Sequence, residues 1–326
     1  MKAAFFERPG ELKVGEFPDP VRQHGDVLIK VAYAGVNPID RSVVSGAVPA
    51  SPMPHVPGAE FVGEVLDPGV SDFKRGDRVV VYNRLFCGLC RQCLRGETQL
   101  CEKGGIIGVA TNGGWAELAA VPARNLVKTS APLEQAVGLP VGGLTAYNML
   151  RRAGVSVGDR VAVMGATGNV GIFAVQLAKL MGAYVVAVTR RADRFVTQLK
   201  SLGADEVLTP EEVKRAGAFD VVVDPLGAGT WELSFSLLAR GGRYVTAGAL
   251  TGDEVRLSLR RLYGGQYSVI GSTGGRRIDL ELLVSLVERG ILKAPISQRL
   301  SLAEAPQALK ALESPERLGK VIIAIG

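Results

Sequence analysis

All the cysteines of the chain lie in one short stretch, and their spacing points directly to chemistry. Cys87, Cys90, Cys93 and Cys101 follow the pattern C-x2-C-x2-C-x7-C within CGLCRQCLRGETQLC. Four thiolates so close in sequence can enclose one tetrahedral ion, and they then leave no position open for water or substrate. The pattern therefore predicts one structural zinc ion per chain. The alternatives are a redox-active C-x-x-C pair and an iron–sulfur cluster.

A second group of residues, GATGNVG, has the composition of a phosphate-binding turn. It lies between a predicted strand, DRVAVM, and a predicted helix that begins near Asn169. Glycines there let the backbone turn tightly and approach a pyrophosphate, whose charge the helix N-terminus stabilises. The G-x-x-G-x-x-G spacing is looser than the usual fingerprint, and the alternative is a plain strand-to-helix turn. The predicted cofactor-binding residues of this loop are Gly165, Ala166, Thr167, Gly168, Asn169, Val170 and Gly171.

The residues after the next predicted strand, YVVAVT, bear on which dinucleotide binds. An NAD site usually has Asp or Glu here, on the ribose hydroxyls. This sequence has Thr189 followed by Arg190 and Arg191. A hydroxyl and guanidinium groups can hydrogen-bond a 2′-phosphate, which a carboxylate would repel. NADP(H) is therefore the predicted cofactor, with Arg194 as a more distant contact, and the alternative is that the arginines are solvated loop residues.

The elements that must position these residues follow two patterns along the chain. Up to about Val127, short alternating segments are broken by Gly, Pro and Asp, as in a β-rich domain with one solvated face. From about Gly143, buried-strand patterns alternate with helical ones, which predicts a doubly wound parallel sheet. After about Ser272 follow two helical segments and a last strand, KVIIAI.

Length and composition narrow the class of protein. The chain has 326 residues, of which 47% are hydrophobic, enough for two domains with real cores. The N-terminus MKAAFFERPGEL is not a signal peptide and no apolar run is long enough to span a membrane, so we expect a cytoplasmic protein. The net charge is +6, but Lys and Arg are scattered among acidic residues with no long basic block. The expected partner is a small-molecule substrate rather than a nucleic acid or a membrane.

The order of four segments resembles that found in the medium-chain dehydrogenase/reductase superfamily, which includes zinc-containing alcohol dehydrogenases and quinone reductases. These segments are the cysteine segment, GATGNVG, HVPGAEFVGEV and the closing GKVIIAI. The resemblance covers essentially the whole chain and implies an α/β fold. A Rossmann doubly wound parallel sheet would be joined to a β-rich GroES-like catalytic domain completed by the C-terminal tail. The implied division is a catalytic domain at 1–142 with a structural zinc lobe at 87–101, an NADP(H)-binding domain at 143–271, and the return to the catalytic domain at 272–326. A homodimer or homotetramer is also implied.

The sequence departs from the zinc alcohol dehydrogenases at the catalytic metal. That family binds it through a Cys in a C-x-x-D segment, a His in a G-H-E segment and a Cys just before the Rossmann domain. The matching positions here are Asn37, Ala59 and the vicinity of Val141, which cannot assemble an open three-ligand site. His55 is close to the second position but is a poor substitute. The GVNPID segment instead resembles the metal-independent quinone and enone reductases.

The resemblance also implies roles for single residues. Asn37 would donate its amide to the substrate carbonyl, with Asp40 orienting the segment or relaying a proton; the alternative is a locally capped Asn-Pro turn. Thr145 would contact the nicotinamide ring, or else cap a helix start. The further implied cofactor contacts are Gly248, Gly271, Ser272 and Thr273, the last three at the carboxamide, and Lys320 near the pyrophosphate. Three tyrosines are possible proton donors: Tyr33, Tyr82 and Tyr147.

The expected function is that of an NADPH-dependent oxidoreductase that transfers hydride to a quinone, a conjugated enone or a related carbonyl compound without a catalytic metal. One alternative is a zinc-type alcohol dehydrogenase that interconverts alcohols with ketones or aldehydes. Another is a non-catalytic NADPH-binding or nucleic-acid-binding protein on a degenerate dehydrogenase scaffold.

Overall fold

The computed structural model describes every residue from Met1 to Gly326 and divides into two compact units. Unit 1 comprises residues 1–141 and 275–326, and unit 2 comprises residues 142–274. The sequence predicts breaks after 142 and after 271, whereas the structure has them after Val141 and after Gly274. None of its helices combines the length and the apolar character needed to cross a membrane.

The first part of unit 1 is built from short strands, as the alternating sequence pattern predicts. Its strands are β1 (Lys2–Phe5), β2 (Lys13–Glu16), β3 (Asp26–Gly35), β4 (Phe61–Asp67), β5 (Arg78–Val81), β6 (Arg84–Leu85), β7 (Gly105–Ile106), β8 (Leu118–Pro122) and β9 (Leu126–Lys128). Its helices are α1 (Pro38–Val44), α2 (Arg91–Leu94) and α3 (Leu133–Ala136). In β3, alternate residues Val27, Ile29 and Val31 face the core, which is the period-2 pattern of a half-buried strand.

Unit 2 alternates strands with helices. Its strands are β10 (Arg160–Met164), β11 (Tyr184–Val188), β12 (Glu206–Leu208), β13 (Phe219–Asp224), β14 (Leu238–Thr246) and β15 (Ser268–Gly271). Its helices are α4 (Leu144–Ala153), α5 (Asn169–Leu180), α6 (Ala192–Ser201), α7 (Ala228–Ser236) and α8 (Leu259–Gly264). The strands form one parallel sheet in the order β12-β11-β10-β13-β14-β15. This is the strand order of a Rossmann sheet, which confirms the predicted doubly wound fold.

The central strands of that sheet are continuous apolar runs because both of their faces are covered. Val161, Val163, Val185 and Val221 have no measurable exposure. Burial on both faces is typical of parallel sheets, and it explains why the sequence shows no period-2 alternation here.

The C-terminal segment returns to unit 1 and completes its sheet. It contains α9 (Arg277–Glu288), β16 (Ile296–Ser301), α10 (Ala305–Ala311) and β17 (Lys320–Ala324). Strand β17 pairs antiparallel with β3, placing Ile323 opposite Ala34, and β16 pairs parallel with β17. The resulting order is β16-β17-β3-β4-β5-β9, with β8 also paired to β3. The predicted completion of the β-rich domain by the C-terminal tail is therefore confirmed.

Candidate functional site

The cysteine segment forms a compact four-sulfur cluster in unit 1. The Sγ atoms all lie within 4.8 Å of one another, and none is in a disulfide. The Cys87 and Cys93 sulfurs are 4.0 Å apart, and those of Cys90 and Cys101 are 3.9 Å apart. Tetrahedral zinc, with Zn–S bonds of about 2.3 Å, places its sulfurs about 3.8 Å apart. The donor set and its spacing therefore fit one tetrahedral ion.

Backbone N–H groups surround these sulfurs. The backbone nitrogens of Cys87 and Cys90 donate to the Sγ atoms of Cys101 and Cys87, at 3.2 and 3.3 Å. The backbone N–H of Cys93, followed by that of Glu102, lowers the pKa of the Cys90 thiol to about 6. These donors favour the thiolate, which is the form that binds a metal.

The GATGNVG loop joins β10 to α5 in unit 2. Gly165 has a φ of +61°, a backbone region that favours glycine. A Cβ on Gly171 would meet the carbonyl oxygen of Gly165, so α5 packs directly on the backbone of the turn. Helix α5 begins at Asn169 with Gly168 as its N-cap, and the N–H groups of its first turn have no partner within the helix. The turn therefore has the features that a pyrophosphate site requires.

The predicted 2′-phosphate residues lie beside this loop because β10 and β11 are parallel neighbours. The backbone N–H of Ala166 donates to the carbonyl of Val188 at 3.1 Å, one residue before Thr189. Thr189 accepts a hydrogen bond from the backbone N–H of Arg191 at 3.4 Å. Arg190 is exposed and Arg191 is half-buried.

Arg194 lies one turn further along, in α6. Its guanidinium lies 5.6 Å from the centre of the Phe195 ring. Its contact with a 2′-phosphate stays a prediction, as does that of the arginines before it.

The other predicted cofactor residues of unit 2 follow β14 and β15, whose carboxyl ends meet at the same edge of the sheet. A Cβ on Gly248 would collide with the carbonyl of Pro225, so this glycine is required by packing alone. A Cβ on Gly271 would meet nothing within 4 Å. The backbone N–H of Ser272 donates to the carbonyl of Thr246 at 2.8 Å. Packing within the protein therefore does not require a glycine at position 271.

A buried asparagine that the sequence analysis missed fixes this segment. Asn148 of α4 is 1% exposed and donates to the Ser272 hydroxyl at 3.0 Å and to the Thr273 carbonyl at 3.3 Å. Arg152 donates to the carbonyl of Gly271 at 2.7 Å. The sequence did contain a signal for Asn148, because it is an amide among the apolar residues of a buried helix face.

Thr145 lies in the same helix and is half-buried. The N-cap of α4 is Gly143, so the alternative assignment of Thr145 as the cap is wrong. Its contact with a nicotinamide ring stays a prediction.

In unit 1, Asn37 and Asp40 begin α1. The carboxylate of Asp40 accepts the backbone N–H of Asn37 at 2.8 Å and that of Ala59 at 2.9 Å. Asp40 therefore fixes the start of the helix and connects it to the segment before β4. These contacts fit the predicted role of Asp40 in orienting the segment that contains Asn37. Burial raises the pKa of Asp40 to about 6, against the effect of these two backbone donors.

The side chain of Asn37 bridges two buried charges. Its Nδ2 donates to Glu60 at 2.9 Å, its Oδ1 accepts from Lys320 at 2.7 Å, and the residue is 1% exposed. Glu60 and Lys320 form an ion pair with no exposure at all. Both polar atoms of Asn37 thus have partners inside unit 1, and its donation to a substrate carbonyl stays a prediction.

Lys320, for which a place near the pyrophosphate is predicted, is the cation of this buried cluster. Its ammonium group is fully buried and donates to Glu60, to Asn37 and to the carbonyl of Val36 at 3.1 Å. Burial lowers the pKa of Lys320, and the charge of Glu60 opposes that shift. A Cβ on Gly35 would meet both partners of the ion pair, so this glycine leaves room for it. Lys320 is an internal residue of unit 1.

The position that matches the third zinc ligand of the alcohol dehydrogenases belongs to the same cluster. The backbone N–H of Val141 donates to the other carboxylate oxygen of Glu60 at 2.8 Å. Asn37, Ala59 and Val141 are thus gathered around Glu60, but they offer no thiolate or imidazole to a metal. His55 is no substitute, because its ring nitrogens face the carbonyls of Pro52 and Gly108 at 3.2 and 3.0 Å.

Among the three tyrosines, Tyr82 is not a proton donor to substrate. Its hydroxyl donates to the carbonyl of Gly275 at 2.8 Å and lies 2.9 Å from the Thr98 hydroxyl. Burial raises the pKa of Tyr82 far above its usual value. Tyr33 and Tyr147 are half-buried and keep their place as candidates.

Comparison with known proteins agrees with these features. The chain matches the family models "Alcohol dehydrogenase GroES-like domain" over residues 23–131 and "Zinc-binding dehydrogenase" over residues 169–289. It is 33% identical to an NAD-dependent alcohol dehydrogenase of Sulfolobus acidocaldarius, over 100% of both chains. It is also 33% identical to an acryloyl-coenzyme A reductase of Metallosphaera sedula, over 95% of this chain and 96% of the relative.

A solved structure is more similar still. It is a thermostable alcohol dehydrogenase from Pyrobaculum aerophilum, with a TM-score of 0.97 and 59% identity over 99% of each chain. A second structure of that protein contains cobalt and zinc.

Proposed function

Because the chain belongs to the medium-chain dehydrogenase/reductase superfamily as a zinc-type, alcohol-dehydrogenase-like member, we propose that it reduces a quinone, a conjugated enone or a related carbonyl compound with NADPH and without a catalytic metal. NADPH supplies the hydride in such a reaction. Within the proposed class, an alkene conjugated to a carbonyl is the favoured substrate. Its β-carbon accepts the hydride, the alkene electron pair moves towards the carbonyl oxygen, and the α-carbon takes a proton.

The arrangement around Glu60 carries this proposal. The three positions where the alcohol dehydrogenases bind catalytic zinc hold an amide, a methyl group and a valine, and two of them hydrogen-bond Glu60. The four cysteines of the lobe are the only group of three or more His, Cys, Asp or Glu side chains spaced to hold a metal. A catalytic zinc needs three protein ligands and an open position. The donor set of this chain does not provide them.

Conjugation in the substrate reduces the charge stabilisation that the protein must supply during hydride transfer. The charge that develops on hydride addition spreads from carbon to the carbonyl oxygen, so less stabilisation is needed than for a simple ketone. Acryloyl-coenzyme A, for which two of the relatives are named, is an alkene conjugated to a thioester carbonyl. Those relatives are 33% and 30% identical to this chain, which supports an activated alkene.

The proposed cofactor preference rests on the residues after β11. The residues directly after this strand are Thr189, Arg190 and Arg191, with no carboxylate among them. The relative from S. acidocaldarius is named NAD-dependent, so the family alone does not decide between the two dinucleotides. The pair of arginines is what favours NADP(H) here.

A zinc-type alcohol dehydrogenase is the second candidate, because the P. aerophilum protein, 59% identical, is named an alcohol dehydrogenase. The number of zinc ions separates the two. The four-sulfur lobe alone accounts for one structural zinc, whereas an alcohol dehydrogenase of the usual type would hold a second. The proposed cytoplasmic location would keep these thiols reduced.

We also propose that the protein forms a homodimer or homotetramer through unit 2. Strand β15 is an edge strand that pairs only with β14, and Val269 within it is 42% exposed. Helix α8 exposes Leu259 by 71% and Tyr263 by 70%. Unpaired strand edges beside apolar side chains are suited to pairing with a second copy. The proposed oligomeric state is tested by measuring the mass in solution of the protein and of the variant Val269→Lys.

The decisive experiment uses purified protein of known zinc content and NADPH deuterated at C4. Quinones, enones, acryloyl-coenzyme A, ketones and aldehydes are compared, and the position of deuterium in each product is read by mass spectrometry. We expect turnover of activated alkenes or quinones, deuterium on the β-carbon of the alkenes, and one zinc per chain. Reduction of simple ketones and aldehydes by NADPH, with two zinc ions per chain, would support the alcohol dehydrogenase instead.

A further inference from the structure

Asp224, the last residue of β13, is a carboxylate that is buried in unit 2 without a cation. It has no exposure, and no ion pair of the structure, up to 4.0 Å, includes it. Its oxygens accept the backbone N–H of Leu226 at 2.9 Å and the hydroxyl of Ser234 at 2.7 Å. The hydroxyl of Thr230 lies 3.0 and 2.8 Å from the two oxygens. Burying a charge is costly even with such donors, and a costly buried group in a native protein usually has a reason.

These contacts fix the loop between β13 and α7, at 225–227. Asp224 holds the N–H of Leu226 on one side. On the other side, the carbonyl of Leu226 accepts both the backbone N–H and the hydroxyl of Thr251, each at 3.0 Å. Both backbone polar groups of Leu226 therefore have partners inside unit 2, and its position depends on Asp224 and on the loop after β14.

The side chain of Leu226 lies against the GATGNVG turn. A Cβ on Gly165 would lie 3.0–3.2 Å from carbon atoms of that side chain. The two segments meet because β10 and β13 are parallel neighbours, with Val163 opposite Val223, so that both strands end at the same edge of the sheet. A Rossmann sheet binds its dinucleotide outside this edge. A chain of contacts thus runs from Asp224 through Leu226 to Gly165.

We propose that Asp224 positions this turn for a dinucleotide by holding Leu226 against Gly165. A carboxylate suits the task, because it accepts several donors at once and its hydrogen bonds are stronger than those of a neutral group. A turn that is already held in place loses less conformational freedom when a ligand binds. That the ligand is a dinucleotide rests on the proposed function, whereas the support of the turn by Asp224 does not.

The effect of Asp224 should differ from that of the arginines after β11. Those arginines are proposed to contact only the 2′-phosphate, which NADH lacks. The turn at Gly165 is proposed to contact the pyrophosphate, which NADPH and NADH share. Loss of Asp224 or of the Leu226 side chain should therefore weaken both dinucleotides by the same factor.

The binding test uses Asp224→Asn and Leu226→Ala, with Ser236→Ala as the control. Ser236 lies in the same helix, α7, and its hydroxyl donates to the carbonyl of Leu233 at 2.7 Å. Affinities for NADPH, NADH and adenosine 2′-phosphate are measured by calorimetry. We expect both test variants to weaken NADPH and NADH equally, by about fivefold or more, as the loss of one hydrogen bond does. Adenosine 2′-phosphate, which has no pyrophosphate, should bind each variant as it binds the wild type, and Ser236→Ala should change none of these affinities.

A second measurement needs no ligand. Hydrogen exchange of the backbone amides at 165–171 reports how firmly the turn is held in the free protein. We expect faster exchange there in both test variants, with unchanged exchange in β11. The melting temperature should fall in Asp224→Asn, which alters a buried network, and should change little in Leu226→Ala, whose side chain is half-buried.

Three results would overturn the proposal. Equal loss of all three ligands, with faster exchange throughout unit 2, would show that Asp224 only stabilises the fold. Weaker dinucleotide binding in Asp224→Asn but not in Leu226→Ala would show that the effect does not pass through Leu226. Unchanged exchange at 165–171 in Leu226→Ala would show that this side chain does not hold the turn, and this variant decides the matter if Asp224→Asn does not fold. Wild-type protein that binds neither NADPH nor NADH would contradict the proposed function, while the exchange measurement would still test Asp224 and Leu226.

Discussion

The side-chain nitrogen of Asn37 lies 2.9 Å from a carboxylate oxygen of Glu60, inside unit 1. The oxygen of the same amide accepts from Lys320 at 2.7 Å. A residue at the position of a metal-binding cysteine in related enzymes thus links two buried, opposite charges. This arrangement suits an amide, since it can donate to an anion and accept from a cation at once.

Replacing Asn37 should therefore affect stability before it affects chemistry. In Asn37→Ala, Glu60 and Lys320 each lose a hydrogen bond in a buried setting. We expect the free energy of unfolding to fall by about 1–3 kcal/mol, with an unchanged denaturant m-value. Urea titrations of the single variants Asn37→Ala and Lys320→Met and of the double variant measure the coupling between them. Additive losses would contradict the bridging role.

The buried carboxyl of Asp40 should make stability depend on pH in an unusual direction. Burial raises its pKa from 3.8 to about 6, so between these values the folded protein binds more protons than the unfolded chain. Asp40 therefore destabilises the fold as pH rises from about 4 to about 6, by up to about 3 kcal/mol, and by a constant amount above that. Asp40→Asn lacks this titration.

Unfolding free energies of both proteins from pH 4 to pH 7 provide the measurement. The change of the unfolding free energy with pH is compared, rather than its value at one pH, because the substitution also alters two backbone hydrogen bonds. Stability of Asp40→Asn relative to the wild type should increase across this range. A difference that stays constant with pH would show that folding does not change the pKa of Asp40.

Local patterns in the sequence predicted the parts of this structure that depend on local chemistry. The cysteine spacing identified the sulfur cluster, and GATGNVG between a strand and a helix identified the turn at Gly165. Contacts between distant segments were not predictable in this way. Nothing near Lys320 indicates that it pairs with Glu60, because the pairing requires β17 to lie beside β3. The partners of Asn148 were not predictable for the same reason, since they lie more than a hundred residues further along the chain, although its place on a buried helix face was a local signal.

Removal of metal should loosen the lobe without stopping the reaction directly. The sulfurs enclose a space for one tetrahedral ion, and the lobe has few buried residues of its own. We expect one zinc per chain and a lower melting temperature after slow chelation. Zinc content, thermal unfolding and NADPH oxidation are measured on the same chelated sample. Cys101→Ser should reproduce the effect. Loss of turnover in proportion to zinc, with the fold and NADPH binding intact, would contradict a structural role.

The arginines after β11 should determine the choice of dinucleotide. Arg190 is exposed and Arg191 is held by its backbone contact to Thr189, so their replacement should not disturb the sheet. We expect Arg190→Ala/Arg191→Ala to lose roughly 1–3 kcal/mol of NADPH binding for each charge-assisted contact, with little change for NADH. Calorimetric titrations with both dinucleotides measure this, with Arg215→Ala as a control on the same unit. Equal affinities of the wild type for NADPH and NADH would contradict the assignment.

Two glycines of unit 2 offer a matched test of which backbone segments meet the cofactor. A Cβ on Gly171 would press on the carbonyl of Gly165, whereas a Cβ on Gly271 would meet nothing in the protein. Gly171→Ala should therefore lower both the melting temperature and the affinity for NADPH. Gly271→Ala should keep the melting temperature but weaken NADPH, because the added methyl group would occupy space that the nicotinamide end needs. Binding of 2′,5′-ADP, which lacks that end, should be unaffected in Gly271→Ala. If NADPH binds Gly271→Ala as tightly as the wild type, the segment from Gly271 to Thr273 is not a cofactor contact.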